Sequence, residues 1–139
     1  MTLQLPITAQ DVLTSDGAHP DRAKLATAAV VAAAADLAVR TTKLLTLYLP
    51  LGAPRPSINS GYRTPAANAA CHGAPNSSHL YGMAIDLLDP EQELSTWCVN
   101  NQDILAQCGL WMENPSKTPT WTHVQSRPVP GLNGRVFMP

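Results

Sequence analysis

The chain has 139 residues, 45% of them hydrophobic and 14% charged, which suits one folded domain with one core and excludes a disordered polar segment. Its formal net charge of −1 and pI near 6.4 exclude the basic face of a nucleic-acid binder. The longest apolar stretch, AAVVAAAA at 28–35, ends at Asp36 and falls far short of the ~18 residues of a membrane helix.

Residues 1–19 read as an irregular lead-in. MTLQLPITAQD has no basic region followed by an apolar one, so no secretory signal peptide is expected. His19 precedes a helix and reads as structural. Residues 19–49 read as one long helix, with Pro20 at the first helical position and Asp21 at the positive end of the dipole. Leu25, Ala29, Ala32, Leu37, Leu44, Leu45 and Tyr48 form its apolar stripe, and Pro50 and Gly52 end it. Residues 52–79 are turn-rich, with PSINS at 56–60 as a short strand. MAIDLLD at 83–89 reads as a buried strand. Asp89, Pro90 and Gln92 then open a second helix with capping-box spacing. Leu94, Trp97, Cys98, Leu105 and Cys108 mark its buried face, and Gly109 its stop. LWMEN, TWTHVQ and GRVFMP follow as three short strands punctuated by Pro115, Pro119, Pro128 and Pro130. This order predicts a single α+β domain over 1–139, with helices packed on a small antiparallel sheet. Cys71, Cys98 and Cys108 form no CxxC pair and read as buried reduced thiols.

The chemistry concentrates around SSHLYGMAIDLLD, residues 77–89. Asp86 is a carboxylate inside an apolar strand, so it needs a pairing charge, hydrogen bonds or a metal ion. His79 stands seven positions before it, and His123 lies in WTHVQ, another strand-like segment. Two imidazoles and one carboxylate form an open zinc site whose fourth position takes water or substrate. Spacing alone leaves the alternative open: ordinary histidines, and an aspartate that accepts backbone hydrogen bonds.

Ser60-Gly61-Tyr62-Arg63, then Ser77-Ser78-His79-Leu80-Tyr81-Gly82-Met83-Ala84-Ile85-Asp86, then Trp121-Thr122-His123-Val124 resemble the zinc peptidases of the M15 family. That family includes D-alanyl-D-alanine carboxypeptidases and phage cell-wall endopeptidases, and the hedgehog signalling domain has a similar zinc site. The resemblance spans about residues 57 to 125. It implies a DD-peptidase-like fold, Zn²⁺ held by His79, Asp86 and His123, and a substrate role for Arg63. A guanidinium can pair with a substrate carboxylate or stabilise an oxyanion. Ser77 or Ser78 is expected to brace the His79 loop, Ser78 is also placed as substrate-lining, and His72, in the loop before the motif, reads as exposed or substrate-lining. Tyr62 reads as packing.

One position departs from the pattern. The family's acidic residue three positions before the last histidine is replaced by Thr120, which cannot take a proton at neutral pH. Glu113 is the only carboxylate between Asp103 and the C-terminus. If 110–114 and 121–125 pair as neighbouring strands, Glu113 can face the metal and serve as general base.

Three readings follow. The first is a peptidase that cuts peptidoglycan stem peptides by zinc-activated water, a monomer engaging neither nucleic acid nor membrane. On this reading the protein stays cytoplasmic until released, or is phage-associated as a lysin or tail enzyme. The second is an inactive zinc-bound cell-wall or peptide-binding module. The third is a metal-free domain of similar fold.

Overall fold

The computed structural model describes residues 2–139. Its first helix, α1 (Ala9–Thr14), falls in the stretch expected to be irregular. Six residues are too few for periodicity to show, but the cap is visible in the sequence. Thr8 Oγ1 accepts the Asp11 N–H at 3.1 Å, and Asp11 Oδ2 accepts the Thr8 N–H at 2.9 Å. The long helix is also divided. A short α2 (Arg22–Leu25) gives way to extended backbone at Ala26, and α3 (Ala28–Tyr48) starts afresh behind Thr27, whose hydroxyl accepts the Val30 N–H at 3.2 Å. Pro20 therefore lies ahead of the helix, and Asp21 takes the cap position without a capping bond. The buried face of α3 is Ala34, Leu37, Ala38, Thr41, Leu44 and Leu45, while Leu25, Ala29 and Ala32 of the expected stripe are exposed. The stripe is fully buried only from Ala34 onward, with Val30 half-buried against the core ahead of it.

The remaining elements are β1 (Ile58–Ser60), α4 (Pro65–Ala70), a 3-10 turn at Ser78–Tyr81, β2 (Ala84–Leu88), α5 (Glu93–Val99), α6 (Gln102–Cys108), β3 (Trp111–Glu113), β4 (Trp121–Gln125) and β5 (Val136–Phe137). The second helix is thus two helices. Their junction is held by Asn101, whose side chain donates to the Trp97 carbonyl at 2.8 Å. Asp89 does not form the expected box with Gln92. Its buried carboxylate instead accepts the Leu94 and Ser95 N–H groups and the hydroxyls of Ser95 and Thr122, tying α5 to β4. Gly109, left-handed at φ 69°, ends α6 as expected.

The fold is α+β, with one five-stranded sheet in the order β1-β2-β4-β3-β5. The sheet is mixed rather than antiparallel, because β3 and β5 run parallel. β4 ends where β3 begins, Gln125 beside Trp111. Residues 126–135 then return to that same end, so β5 must follow β3's direction. Ile58, Ile85, Leu87, Met112 and Val124 join the helices' Val12, Leu37, Leu45 and Leu105 in one buried core. Cys98 and Cys108 are buried within it as free thiols, but Cys71 is exposed. The strands alternate, so the residues between these face away from the helices.

Candidate metal centre

Register decides which side chains share that outer face. Asp86 on β2 stands opposite His123 on β4. The β4–β3 pairing of Val124 with Met112 continues to His123 beside Glu113, and Glu113 in turn pairs with Phe137 on β5. At the other edge an irregularity between Ile58 and Ser60 keeps Ile58 in the core yet sets Ser60 opposite Asp86. One row therefore crosses all five strands: Ser60, Asp86, His123, Glu113, Phe137. The His123 and Phe137 rings meet edge to face at 6.0 Å.

His79 reaches this row from the 3-10 turn. Ser77 Oγ accepts the His79 N–H at 3.2 Å, so the expected bracing falls to Ser77, while Ser78 is buried and lines the cleft. Gly82, left-handed at φ 70°, closes the turn against α3, where a Cβ would come within 2.8 Å of the Val30 carbonyl oxygen.

The Ser60–Arg63 element positions both His79 and Arg63. Gly61 donates its N–H to Ser15 Oγ at 3.0 Å, and a side chain there would overlap the Val12 carbonyl. Its own carbonyl accepts from His79 Nδ1 at 2.8 Å. Tyr62 is buried packing, and its N–H donates to the Val12 carbonyl. Arg63 donates through Nε to Ser60 Oγ at 2.9 Å and reaches Asn68 Oδ1 at 3.3 Å and Asp86 Oδ2 at 3.4 Å.

These bonds select the histidine tautomers. His79 Nδ1–H is donated to a carbonyl, so its Nε2 lone pair faces Asp86 Oδ2 at 3.2 Å. His123 Nε2 meets Gln125 Oε1 at 2.8 Å. Gln125 Nε2 donates to the Arg127 carbonyl, which fixes the amide so that its oxygen must accept from His123. In the neutral imidazole the His123 Nδ1 lone pair therefore faces Asp86 Oδ1 at 2.8 Å, a contact that needs a proton or a metal ion between the two atoms. Three acceptor atoms converge, all within 4.8 Å of one another. Such a group is electrostatically balanced only around a positive charge. Two imidazole nitrogens and one carboxylate make a donor set that fits zinc with one position left open.

The field is strong. Burial alone would raise the Asp86 carboxyl, but His79 and His123 outweigh it and hold Asp86 far below the usual carboxylate range. Burial opposes charge on His123, yet Asp86 raises it above the ordinary 6.5. Burial pushes Glu113 above its ordinary 4.5, with His123 and His79 opposing and Asp86 reinforcing.

A pH dependence follows. The stabilising proton on His123 is fully present below 6.5 and is lost as pH rises through the raised folded value. That from ionised Asp86 is present above 3.8 and is lost as pH falls through the depressed folded value. Metal must displace the His123 proton, so its affinity increases as pH rises through the folded His123 value. The melting-temperature gap between zinc-loaded and metal-free protein is expected to widen from about pH 6 to about pH 8. A gap that stays flat would remove His123 from the ligand set.

The structure thus gathers His79, Asp86, His123, Arg63 and Glu113. Glu113 faces a cleft of about 400 Å³ together with Ser78, His123, Gln125, Pro130 and Phe137. It does not bring in His72, which is exposed beyond α4 at φ 57°. Thr120 is exposed ahead of β4, where its carbonyl accepts the Asp89 N–H. Gln125 escaped the sequence reading, although its position two residues after His123 on a strand already placed both on one face.

A family model described as Peptidase M15 matches residues 13–124. No curated protein and no solved structure matches the chain.

Proposed function

The chain belongs to the M15 peptidase family, and from that premise we propose that it is a zinc-dependent peptidase that cuts the stem peptides of peptidoglycan. The observation that carries this reading is the shared row, in which Glu113 stands beside His123 and opens onto the same cleft. His79 Nε2, the Asp86 carboxylate and His123 Nδ1 would hold the ion. Zinc bound there supplies a Lewis acid and a water with a pKa of about 7.

The chain's own groups complete the chemistry. Glu113 takes a proton from the attacking water at its carboxylate and returns it to the leaving amine. Its raised pKa strengthens it as a base near neutrality. Arg63 is held by Ser60 and Asn68 with donors left over, and these stabilise the oxyanion at the scissile carbonyl. Pro128, Val129, Pro130 and Phe137 give the cleft an apolar wall suited to a small side chain such as that of alanine.

The test is mass spectrometry of peptidoglycan fragments after incubation with zinc-loaded protein. Release of D-alanine or of cleaved stem peptide supports the reading and names the bond. Stoichiometric zinc with no fragment released would leave a zinc-bound binding module instead.

A further inference from the structure

The cleft that holds Glu113 and His123 has a neighbour. Arg127, two residues past β4, lines that cleft and also lines a second groove of about 400 Å³. The second groove is mainly apolar. α3 supplies Val30 and Ala33, the approach to β2 supplies Met83, and the 3-10 turn supplies Tyr81, which is 44% exposed. Arg127 is fixed where the two meet. Its Nη1 donates to the Asn76 carbonyl at 2.8 Å, and its guanidinium lies 5.0 Å from the centre of the Tyr81 ring. Tyr81 in turn donates its hydroxyl to Asn76 Oδ1 at 2.7 Å. Asn76 lines the cleft and Tyr81 the groove, so these three residues form the ridge between them. The Arg127 carbonyl accepts from Gln125 Nε2 at 2.9 Å, and Gln125 Oε1 accepts from His123. A chain of hydrogen bonds thus joins Arg127 to the metal cluster.

Among the described residues Arg127 has no ion pair, and its Nε and Nη2 bond to no protein acceptor. A guanidinium held by a ring and a carbonyl, with donors left over, is preorganised for a carboxylate. The groove beside it suits methylenes. Together they fit a side chain that is aliphatic along its length and carries a carboxylate at its end. Stem peptides present two kinds of long side chain at their cross-linking residue. Diaminopimelate ends in a carbon that bears a carboxylate, and lysine ends in an ammonium alone. Lysine would set one cation against another at Arg127. We propose that Arg127 and the adjoining groove form a specificity subsite for the diaminopimelate-type side chain of a stem peptide. The subsite rests on the zinc-peptidase reading and adds to it which stem peptides the chain selects, whichever bond is cut.

The experiment uses the pentapeptide L-alanyl-γ-D-glutamyl-X-D-alanyl-D-alanine, with X as meso-diaminopimelate, its amide at the distal carboxyl, lysine or alanine. Mass spectrometry reads any bond cleaved in it. Zinc-loaded wild type is expected to favour free diaminopimelate by at least about tenfold in kcat/KM over both the amide and lysine. Arg127→Gln should bring those three within about twofold of one another by raising KM for free diaminopimelate, and Arg127→Lys should restore part of the gap. Ala33→Phe fills the groove and should cost the diaminopimelate peptide at least about tenfold more than the alanine peptide. Equal rates on the free, amidated and lysine peptides, preference for lysine, or a loss in either Gln or Phe variant that all four peptides share would overturn the proposal. If wild type cleaves none of them, the peptidase reading fails separately, and calorimetry with the intact peptides reads the subsite. Tighter binding of the free diaminopimelate peptide that Arg127→Gln abolishes sustains it, and equal binding or none overturns it.

Discussion

Glu113→Gln is expected to lower kcat by about 10²–10⁴-fold, the range for loss of a positioned general base, while the protein still binds one equivalent of zinc. The substitution is nearly isosteric and removes only the ability to take a proton. Glu113 is half-buried on the sheet's outer face, one strand from His123, and no ion pair or hydrogen bond of the fold depends on its carboxylate among the described residues. Thermal stability should therefore change little. The acid limb of the wild-type pH–rate profile should rise with pH through a Glu113 value above the ordinary 4.5, because burial raises it and the base acts only when ionised. The same limb should vanish in the variant. Full activity in Glu113→Gln would remove this residue from the mechanism and leave the family's missing acid at Thr120 without a replacement.

Asp86→Ala is expected to abolish stoichiometric zinc binding. Asp86 meets His123 Nδ1 at 2.8 Å, His79 Nε2 at 3.2 Å and Arg63 Nη2 at 3.4 Å, so one carboxylate orders the whole cluster. Without it, two imidazoles and a guanidinium face one another with no negative charge between them, which disfavours a dication. The loss of affinity should exceed the roughly 10–100-fold expected for Gln125→Ala, which frees only the far nitrogen of His123. His72→Ala should bind zinc like wild type. Metal content after desalting and competition against a chelator give the ordering. Zinc at about 1,000 times its Kd stabilises a folded state by ~4 kcal/mol, so added zinc should raise the wild-type melting temperature and leave that of Asp86→Ala unmoved. An Asp86→Ala protein that keeps one tightly bound equivalent would sink the assignment of ligands.

Much of this centre is legible in the amino-acid sequence. Asp86 and His123 stand out as ionisable groups inside the strand-like segments MAIDLLD and WTHVQ, where a carboxylate needs a partner. The elements were less legible where they are short or interrupted. α1 was missed because six residues carry less than two turns of pattern, and the break before Thr27 was hidden by alanines that suit a helix whether or not it continues. His72, in the loop before the His79 motif, reads from the sequence as exposed or substrate-lining. The chain turns at α4 and leaves it in solvent.

The amino-acid sequence by itself determined the residue types of the cluster, the α+β class, and the motif strings that tie His79 to Asp86 and Ser60 to Arg63. Those are local properties, set by spacing along one strand or one turn. Tertiary structure alone decided that Glu113, ten residues from His123, stands in its row and that β5 runs parallel to β3. Register between strands depends on which faces find the core, and loop returns depend on where strands end. Neither is written in the periodicity of any one segment.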